Sequence, residues 1–149
     1  MTSDQTFVIV GASLAGAKAA EALRGEGFDG RLLLIGAECE RPYERPPLSK
    51  DYLRGEAGRD KIYVHDEGFY TGRRIELRLG RSAISLSTSA REVALDHGER
   101  LRCDRLLLTT GAPRRLAIPG AELDRVLYLR IVEDSDALHE RLDRGGRVV

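Results

Sequence analysis

The chain has 149 residues, with 24 Lys+Arg against 24 Asp+Glu, so its formal net charge is zero. This length suits one ordinary domain, and a hydrophobic fraction of 42% excludes wholesale disorder. The balanced charge gives no electrostatic footprint for nucleic acid or an acidic membrane. The apolar runs are far too short for a membrane helix, and no secretory signal is visible. We therefore expect a cytoplasmic protein.

The cysteines and histidines give no sign of a disulfide or a metal site. Cys39 and Cys103 lie far apart without CxxC spacing, so we expect reduced thiols. His65, His97 and His139 show no ligand spacing, and no metal is predicted.

The first forty residues predict a βαβ unit. Residues 6–10 and 31–35 are continuous apolar runs, which are typical of strands buried on both faces of a parallel sheet. Between them, residues 17–24 are strong helix formers. We expect Gly25 and Gly27 to end that helix.

The turn between the first strand and the helix is rich in small residues. Gly11 allows the tight turn, Gly16 allows close packing of helix and strand, and Ser13 takes the place where the dinucleotide fingerprint has glycine. Glu38, just past the second strand, can accept hydrogen bonds from ribose hydroxyls. The pattern predicts a pyrophosphate site at the helix N-terminus. The alternative is that these residues form an ordinary glycine turn with no ligand. If a dinucleotide binds there, the geometry of the unit alone allows either NAD or FAD.

The middle of the chain has a proline-rich segment followed by an alternating apolar pattern. Residues 41–50 hold three of the five prolines and form a stiff, irregular segment, after which a helix is predicted at residues 49–53. From Ile75 apolar residues alternate with polar ones through residues 83–87 and 92–95, which predicts a small antiparallel meander.

The last third of the chain contains a continuous apolar run and then a segment with helical spacing of its apolar residues. Residues 96–99 are a hairpin turn, and residues 105–111 predict a strand that rejoins the buried sheet. Residues 133–142 predict a helix that is capped by Asp134 or Ser135. Its inward-facing residues are predicted to be Ala137, Leu138 and Leu142.

Three segments in order resemble the N-terminal part of FAD-dependent ferredoxin reductases: residues 8–16, residues 41–50 (RPYERPPLSK) and residues 106–111 (LLLTTG). The proline-rich run is the most specific of the three. The resemblance implies a Rossmann-like, FAD-binding, three-layer α/β fold. It has a parallel sheet plus a small antiparallel β-meander, and it is incomplete in this chain.

The resemblance also implies a set of cofactor-binding residues. The FAD pyrophosphate would be held by Gly11, Ala12, Ser13, Leu14, Ala15 and Gly16. Glu38 would bind the adenosine ribose, and Ala83 would meet the adenine through its backbone. Lys50, near the reactive edge of the flavin, would favour negative charge on the reduced flavin and raise its potential. The remaining contacts would come from Arg45, Pro46, Thr110, Gly111 and Arg130.

The function implied by the resemblance is electron transfer from NADH through FAD to a ferredoxin or rubredoxin, in the systems that serve oxygenases. Because no cysteine pair lies near the proline-rich run, electrons would leave the reduced flavin directly. A related flavoenzyme, of the nitrite-reductase or apoptosis-inducing-factor type, and a non-catalytic fragment remain alternatives. NADH is not distinguished from NADPH.

The resemblance divides the chain into an N-terminal part of an FAD-binding domain (1–111, with the meander at 71–104), a connector with a helix (112–144), and the truncated start of an NAD-binding domain (145–149). The NADH site would then lie outside these residues. We expect the chain alone not to oxidise NADH efficiently.

Overall fold

The computed structural model of the protein describes residues 4–112 and 118–145, which divide into two compact units. The first unit comprises the described residues of Met1–Tyr43 and Val64–Gly111, and the second comprises those of Glu44–Tyr63 and Ala112–Val149. The strand predicted to begin at residues 145–149 lies, apart from Gly145, outside the described residues. No helix among the described residues is long and apolar enough to cross a bilayer.

The first unit is built on a four-stranded parallel sheet with the order β3-β2-β1-β7. Its elements are β1 (Thr6–Val10), α1 (Leu14–Gly25), β2 (Arg31–Gly36), α2 (Glu67–Gly72), β3 (Ile75–Leu79) and β7 (Arg105–Leu108). The predicted βαβ unit is confirmed, because β1 and β2 pair in parallel with Val8 opposite Leu33.

The two central strands of the parallel sheet, β1 and β2, are buried on both faces, which is why they are continuously apolar. On one face a cluster with α1 and α2 contains Ile9, Ala20, Leu32, Leu34, Tyr70 and Ile75. On the other face a cluster with the antiparallel sheet contains Val8, Val10, Leu33, Ile35, Val93, Leu95, Leu101 and Cys103. Helices, parallel sheet and antiparallel sheet therefore form three layers, and the predicted α/β fold is confirmed.

The antiparallel sheet has three strands: β4 (Ala83–Ser87), β5 (Glu92–Leu95) and β6 (Arg100–Arg102). The predicted hairpin turn joins β5 to β6, and Gly98 adopts a φ of +91° there. One prediction was wrong: Ile75–Leu79 alternates in hydropathy but belongs to the parallel sheet, where Leu77 lies opposite Leu34. The alternation arises because β3 is an edge strand, in which Ile75 and Leu77 pack in the cluster with the helices while Glu76 and Arg78 remain half-exposed.

The strand β7 pairs with β1 in parallel, as predicted, but it is not buried. The exposed fractions of Leu107 and Leu108 are 42% and 60%. The strand lies at an edge of the sheet, so its apolar run has neighbours on one side only among the described residues.

In the second unit a 3-10 helix at Pro46–Ser49 replaces the helix predicted at residues 49–53. The backbone continues from it in hydrogen-bonded turns, with the Tyr52 amide donating to the Pro47 carbonyl at 3.2 Å. Two consecutive prolines favour this start, because their fixed φ suits a helical N-terminus. A second 3-10 turn follows at Arg59–Lys61.

The helix α3 (Val132–Asp143) matches its predicted span but not its predicted inner face. Val132 and Ser135 are fully buried, whereas Ala137 and Leu142 are exposed. The prediction was wrong because it assigned the inner face from the apolar residues, whereas this helix packs largely through polar groups.

The predicted cap of α3 was half right. Asp134 is inside the helix rather than at its N-cap, which is Ile131. Its carboxylate nevertheless accepts hydrogen bonds from the amides of Arg130 and Ile131, at 2.9 and 3.0 Å. It thereby serves the otherwise unpaired donors of the helix start.

Candidate functional site

The glycine turn lies at the carboxyl end of β1 and leaves no room for side chains. Gly11 has a φ of +115°, a conformation that favours glycine. A Cβ atom on Gly11 would overlap the Thr109 carbonyl and lie 2.8 Å from the Thr109 Oγ1 atom. A Cβ on Gly16 would overlap the Gly11 carbonyl oxygen. Gly11 was predicted to allow the tight turn and Gly16 to allow close packing, and the positive φ of Gly11 and the lack of room at Gly16 agree with these roles.

The helix α1 begins directly after this turn. Ser13 is its N-cap in an extended conformation, and the Ser13 side chain makes no capping hydrogen bond within the described residues. Leu14 and Ala15 form the exposed first turn. The first amides of a helix have no intrahelical acceptor, so this turn presents donors together with the positive end of the helix dipole.

The end of β2 completes the base of the turn. The Gly11 amide donates to the Ile35 carbonyl at 2.8 Å. A Cβ on Gly36 would lie 2.6 Å from the Cβ of Ala12, so Gly36 is a third position where a close neighbour leaves no room for a side chain. The sequence reasoning missed Gly36, although a glycine that directly ends an apolar strand was a usable signal.

Thr109 is a further residue that the sequence reasoning missed. Its hydroxyl donates to the Gly11 carbonyl at 2.8 Å, and its amide donates to the Val10 carbonyl at 2.7 Å. The signal available was a hydroxyl at the carboxyl end of an apolar strand. Thr110 and Gly111, which were predicted, follow it as exposed residues, and Gly111 has a φ of +71°.

Glu38 lies two residues beyond β2, on the same edge of the sheet as the turn. It is half-buried, and the hydroxyl of the buried Tyr43 donates to its Oε2 atom. The Gly80 amide donates to the Glu38 carbonyl at 2.9 Å, which fixes the backbone there. Ala83 lies in the other sheet, half-buried at the start of β4, where it packs against the buried cluster.

The structure thus brings the turn, the end of β2 and the end of β7 together at the carboxyl edge of the parallel sheet. Ligands of open α/β sheets bind at this edge. No three or more His, Cys, Asp or Glu side chains among residues 4–112 and 118–145 are placed to hold a metal ion.

The other predicted residues belong to the second unit. Arg45 precedes the 3-10 helix, and its guanidinium donates to the carbonyl of Arg130. Pro46 begins that helix and Lys50 follows its last residue, and both are exposed. The side chain of Lys50 is therefore available to a ligand, while its amide is fixed by the Pro47 carbonyl at 2.9 Å.

Comparison with known proteins gives a consistent result. The sequence profile of the family described as "Pyridine nucleotide-disulphide oxidoreductase" matches residues 5–149. The 3-phenylpropionate/cinnamic acid dioxygenase ferredoxin–NAD(+) reductase component of Photorhabdus laumondii is 42% identical over 147 residues, which cover 98% of this chain and 37% of that protein. The rubredoxin-NAD(+) reductase of Pseudomonas putida is 41% identical over 144 residues, which cover 96% of this chain and 37% of that protein.

Solved structures agree with these relatives. The putidaredoxin reductase–putidaredoxin complex matches with a TM-score of 0.88 and 34% identity, over 94% of this chain and 34% of that chain. A ferredoxin reductase from Rhodopseudomonas palustris matches with a TM-score of 0.87 and 36% identity, over 94% and 35% of the two chains. The chain therefore spans little more than a third of the length of the proteins it matches.

Proposed function

The chain belongs to the pyridine nucleotide-disulphide oxidoreductase family, and on this premise we propose that it binds FAD as part of a reductase that passes electrons from NADH to a ferredoxin or rubredoxin. Relatives that are 42% and 41% identical bear the names of ferredoxin–NAD(+) and rubredoxin-NAD(+) reductases. We propose that residues 1–111 supply the FAD-binding part of this reductase.

The observation that carries the proposal is the exclusion of side chains from the glycine turn. Cβ atoms at Gly11 and Gly16 would overlap backbone, so the turn brings the N-terminus of a 12-residue helix to the edge of the sheet with its amides uncovered. A pyrophosphate carries negative charge and several acceptor oxygens, which suit such donors. Ala12, Ser13, Leu14 and Ala15 are small or point outward, and we assign them to the same contact.

Glu38 is assigned to the adenosine ribose. A carboxylate can accept hydrogen bonds from two neighbouring hydroxyls. The hydroxyl of Tyr43 donates to the Glu38 carboxylate and orients it. We assign Ala83, Thr110 and Gly111 to contacts along the rest of the cofactor.

Lys50, Arg45, Pro46 and Arg130 are assigned to the flavin end. There, bound FAD would supply the chemistry of two-electron acceptance from a nicotinamide and one-electron release. The ammonium of Lys50 would stabilise negative charge on the reduced ring, since opposite charges attract. The free thiols of Cys39 and Cys103 are a single exposed and a single buried group, which favours direct transfer over a dithiol relay.

The primary test is titration of the folded chain with FAD, followed by quenching of flavin fluorescence. We expect saturation at one FAD per chain, at least about tenfold weaker binding in Glu38→Gln, and unchanged binding in Glu122→Gln, an exposed carboxylate of the second unit. A folded chain that leaves the fluorescence unchanged up to about 1 mM FAD, the level at which binding is worth only ~4 kcal/mol, would falsify the proposal.

The electron-transfer half needs its own measurements. In the FAD-loaded chain, Lys50→Ala should lower the midpoint potential of the flavin, and Lys61→Ala, an exposed lysine of the same unit, should leave it unchanged. After reduction with dithionite, the loaded chain should transfer electrons to an oxidised ferredoxin in a stopped-flow experiment. Retention of reduced flavin in the presence of excess ferredoxin and rubredoxin would count against the proposed partners.

A further inference from the structure

The helix α3 is attached to the segment that carries Lys50 by hydrogen bonds from polar side chains. We call residues 45–54 the lysine segment. Ser135 is fully buried, and its hydroxyl donates to the Leu48 carbonyl at 2.8 Å. The Asp136 carboxylate accepts a hydrogen bond of 2.6 Å from the hydroxyl of Tyr52. The two contacts lie on adjacent positions of the helix.

These contacts bracket Lys50 along the chain. Leu48 precedes it by two residues and Tyr52 follows it by two. Between them, the Lys50 amide donates to the Pro47 carbonyl at 2.9 Å, and the Lys50 carbonyl accepts from the Arg54 amide at 3.0 Å. The backbone of Lys50 is therefore fixed on both sides, while its side chain remains exposed.

Two further contacts extend the attachment. The Nδ1 atom of His139, one helical turn beyond Ser135, lies 2.7 Å from the Leu53 carbonyl oxygen. At the other end, the guanidinium of Arg45 donates to the Arg130 carbonyl just before α3. Four hydrogen-bonded contacts thus hold the lysine segment, three from α3 and one from Arg130, which precedes the helix.

The surroundings of the Tyr52 hydroxyl keep it protonated, and therefore a donor to Asp136. Burial, together with the hydrogen bond to Asp136, raises the pKa of Tyr52 to about 12, so the phenol is protonated at neutral pH. The guanidinium of Arg59, 3.4 Å from the other oxygen of Asp136, holds that carboxylate in place.

We propose that Ser135 and Asp136 are positioning residues, which hold the lysine segment so that the ammonium of Lys50 takes one place relative to the flavin. This inference rests on the proposed function, because it assigns Lys50 to the flavin. The physical reason is that a Coulomb interaction falls with distance and rises as water is excluded. A lysine on a loose backbone would spread its charge over many positions and act on the flavin more weakly.

The first experiment measures the attachment without any cofactor. Hydrogen exchange of the Lys50, Tyr52 and Arg54 amides is compared in the wild type, Ser135→Ala and Tyr52→Phe. We expect at least about tenfold faster exchange in each variant, because each loses one hydrogen bond between α3 and the lysine segment. Arg141→Ala, on the exposed face of the same helix, is the matched control and should exchange like the wild type. Unchanged exchange in both variants overturns the proposal.

The second experiment separates positioning from general stability. In the FAD-loaded chain, Ser135→Ala should shift the midpoint potential of the flavin in the same direction as Lys50→Ala, and by less. In the Lys50→Ala background the further substitution of Ser135 should have no effect. An equal shift in both backgrounds shows that Ser135 acts independently of Lys50 and overturns the proposal.

The two arms distinguish failure of the inference from failure of the proposed function. If Lys50→Ala leaves the flavin potential unchanged, or FAD does not bind, the proposed role of Lys50 fails, and with it the inferred positioning for the flavin. The exchange data then still decide whether α3 holds the lysine segment.

Discussion

The hydroxyl of Thr109 donates a hydrogen bond of 2.8 Å to the carbonyl of Gly11, across 98 positions of the chain. The same hydroxyl lies 3.2 Å from the Val10 carbonyl oxygen. A residue at the carboxyl end of β7 thereby fixes the first residue of the glycine turn. The shape of the turn depends on a distant strand as well as on its own glycines.

Replacing the hydroxyl with a methyl group tests this dependence. Thr109→Val keeps the volume and leaves the Gly11 carbonyl without its donor, so we expect the free energy of unfolding to fall by about 1–2 kcal/mol. FAD affinity should fall as well. Thr88→Val, in the exposed turn between β4 and β5, is the control and should change stability by no more than about 0.5 kcal/mol. Urea unfolding measures the free energy of unfolding of the two variants. Equal effects at Thr109 and Thr88 would contradict the structure.

The tight packing of Gly16 predicts a contrast between two glycines of one helix. Gly16→Ala places a Cβ against the Gly11 carbonyl, and we expect a loss of at least about 2 kcal/mol because backbone must move. Gly25→Ala meets nothing within 4 Å and should be neutral or stabilising by up to about 1 kcal/mol. Thermal unfolding of the two variants measures the difference. Similar melting temperatures would show that the turn is not packed as described.

The strands of the parallel sheet were predictable where burial on both faces made them continuously apolar, as in β1 and β2. Ile75–Leu79 was assigned to the wrong sheet because it is an edge strand. Its half-exposed Glu76 and Arg78 give it the alternation of an antiparallel strand. Periodicity reports how many faces of a strand are buried, and the pairing partner is decided by contacts distant in sequence.

The candidate site was predictable to the extent that its constraints are local. Gly11 and Gly16 were found because a turn between strand and helix has a known requirement for glycine. Thr109 and Gly36 were missed because their roles depend on which strands lie beside the turn. The inner face of α3 was missed because Ser135 packs through a hydroxyl, and hydropathy patterns do not register a buried polar contact.

The guanidinium of Arg24 predicts a larger effect than a surface arginine normally has. It donates to the carbonyls of Phe28, Gly30, Arg73 and Arg74, which belong to the loops after α1 and α2. Arg24→Lys keeps the charge but loses the planar fork, so we expect a loss of about 1–3 kcal/mol in the free energy of unfolding. Arg102→Lys, an exposed arginine of β6, should change it little. A stability of Arg24→Lys equal to that of the wild type would show that these four bonds do not form.

The ion pair between Arg31 and Glu76 predicts a pH dependence of stability. The hydrogen bonds from Arg31, at 2.9 Å, hold the pKa of Glu76 below its ordinary value of 4.5. A carboxyl whose pKa is lower in the folded state contributes stability above its unfolded pKa and loses that contribution as the pH falls through the folded pKa. The contribution is under about 1 kcal/mol because both side chains are exposed and screened by solvent.

Glu76→Gln should therefore be slightly less stable than the wild type at pH 7, and the difference should disappear by about pH 3. Glu122→Gln removes an exposed carboxylate in the same way and is the control. The measurement is urea unfolding at several pH values and at low salt, since salt screens such pairs. A Glu76→Gln variant whose stability relative to the wild type does not change between pH 7 and pH 3 would show that the pair with Arg31 contributes nothing to the pH dependence of folding.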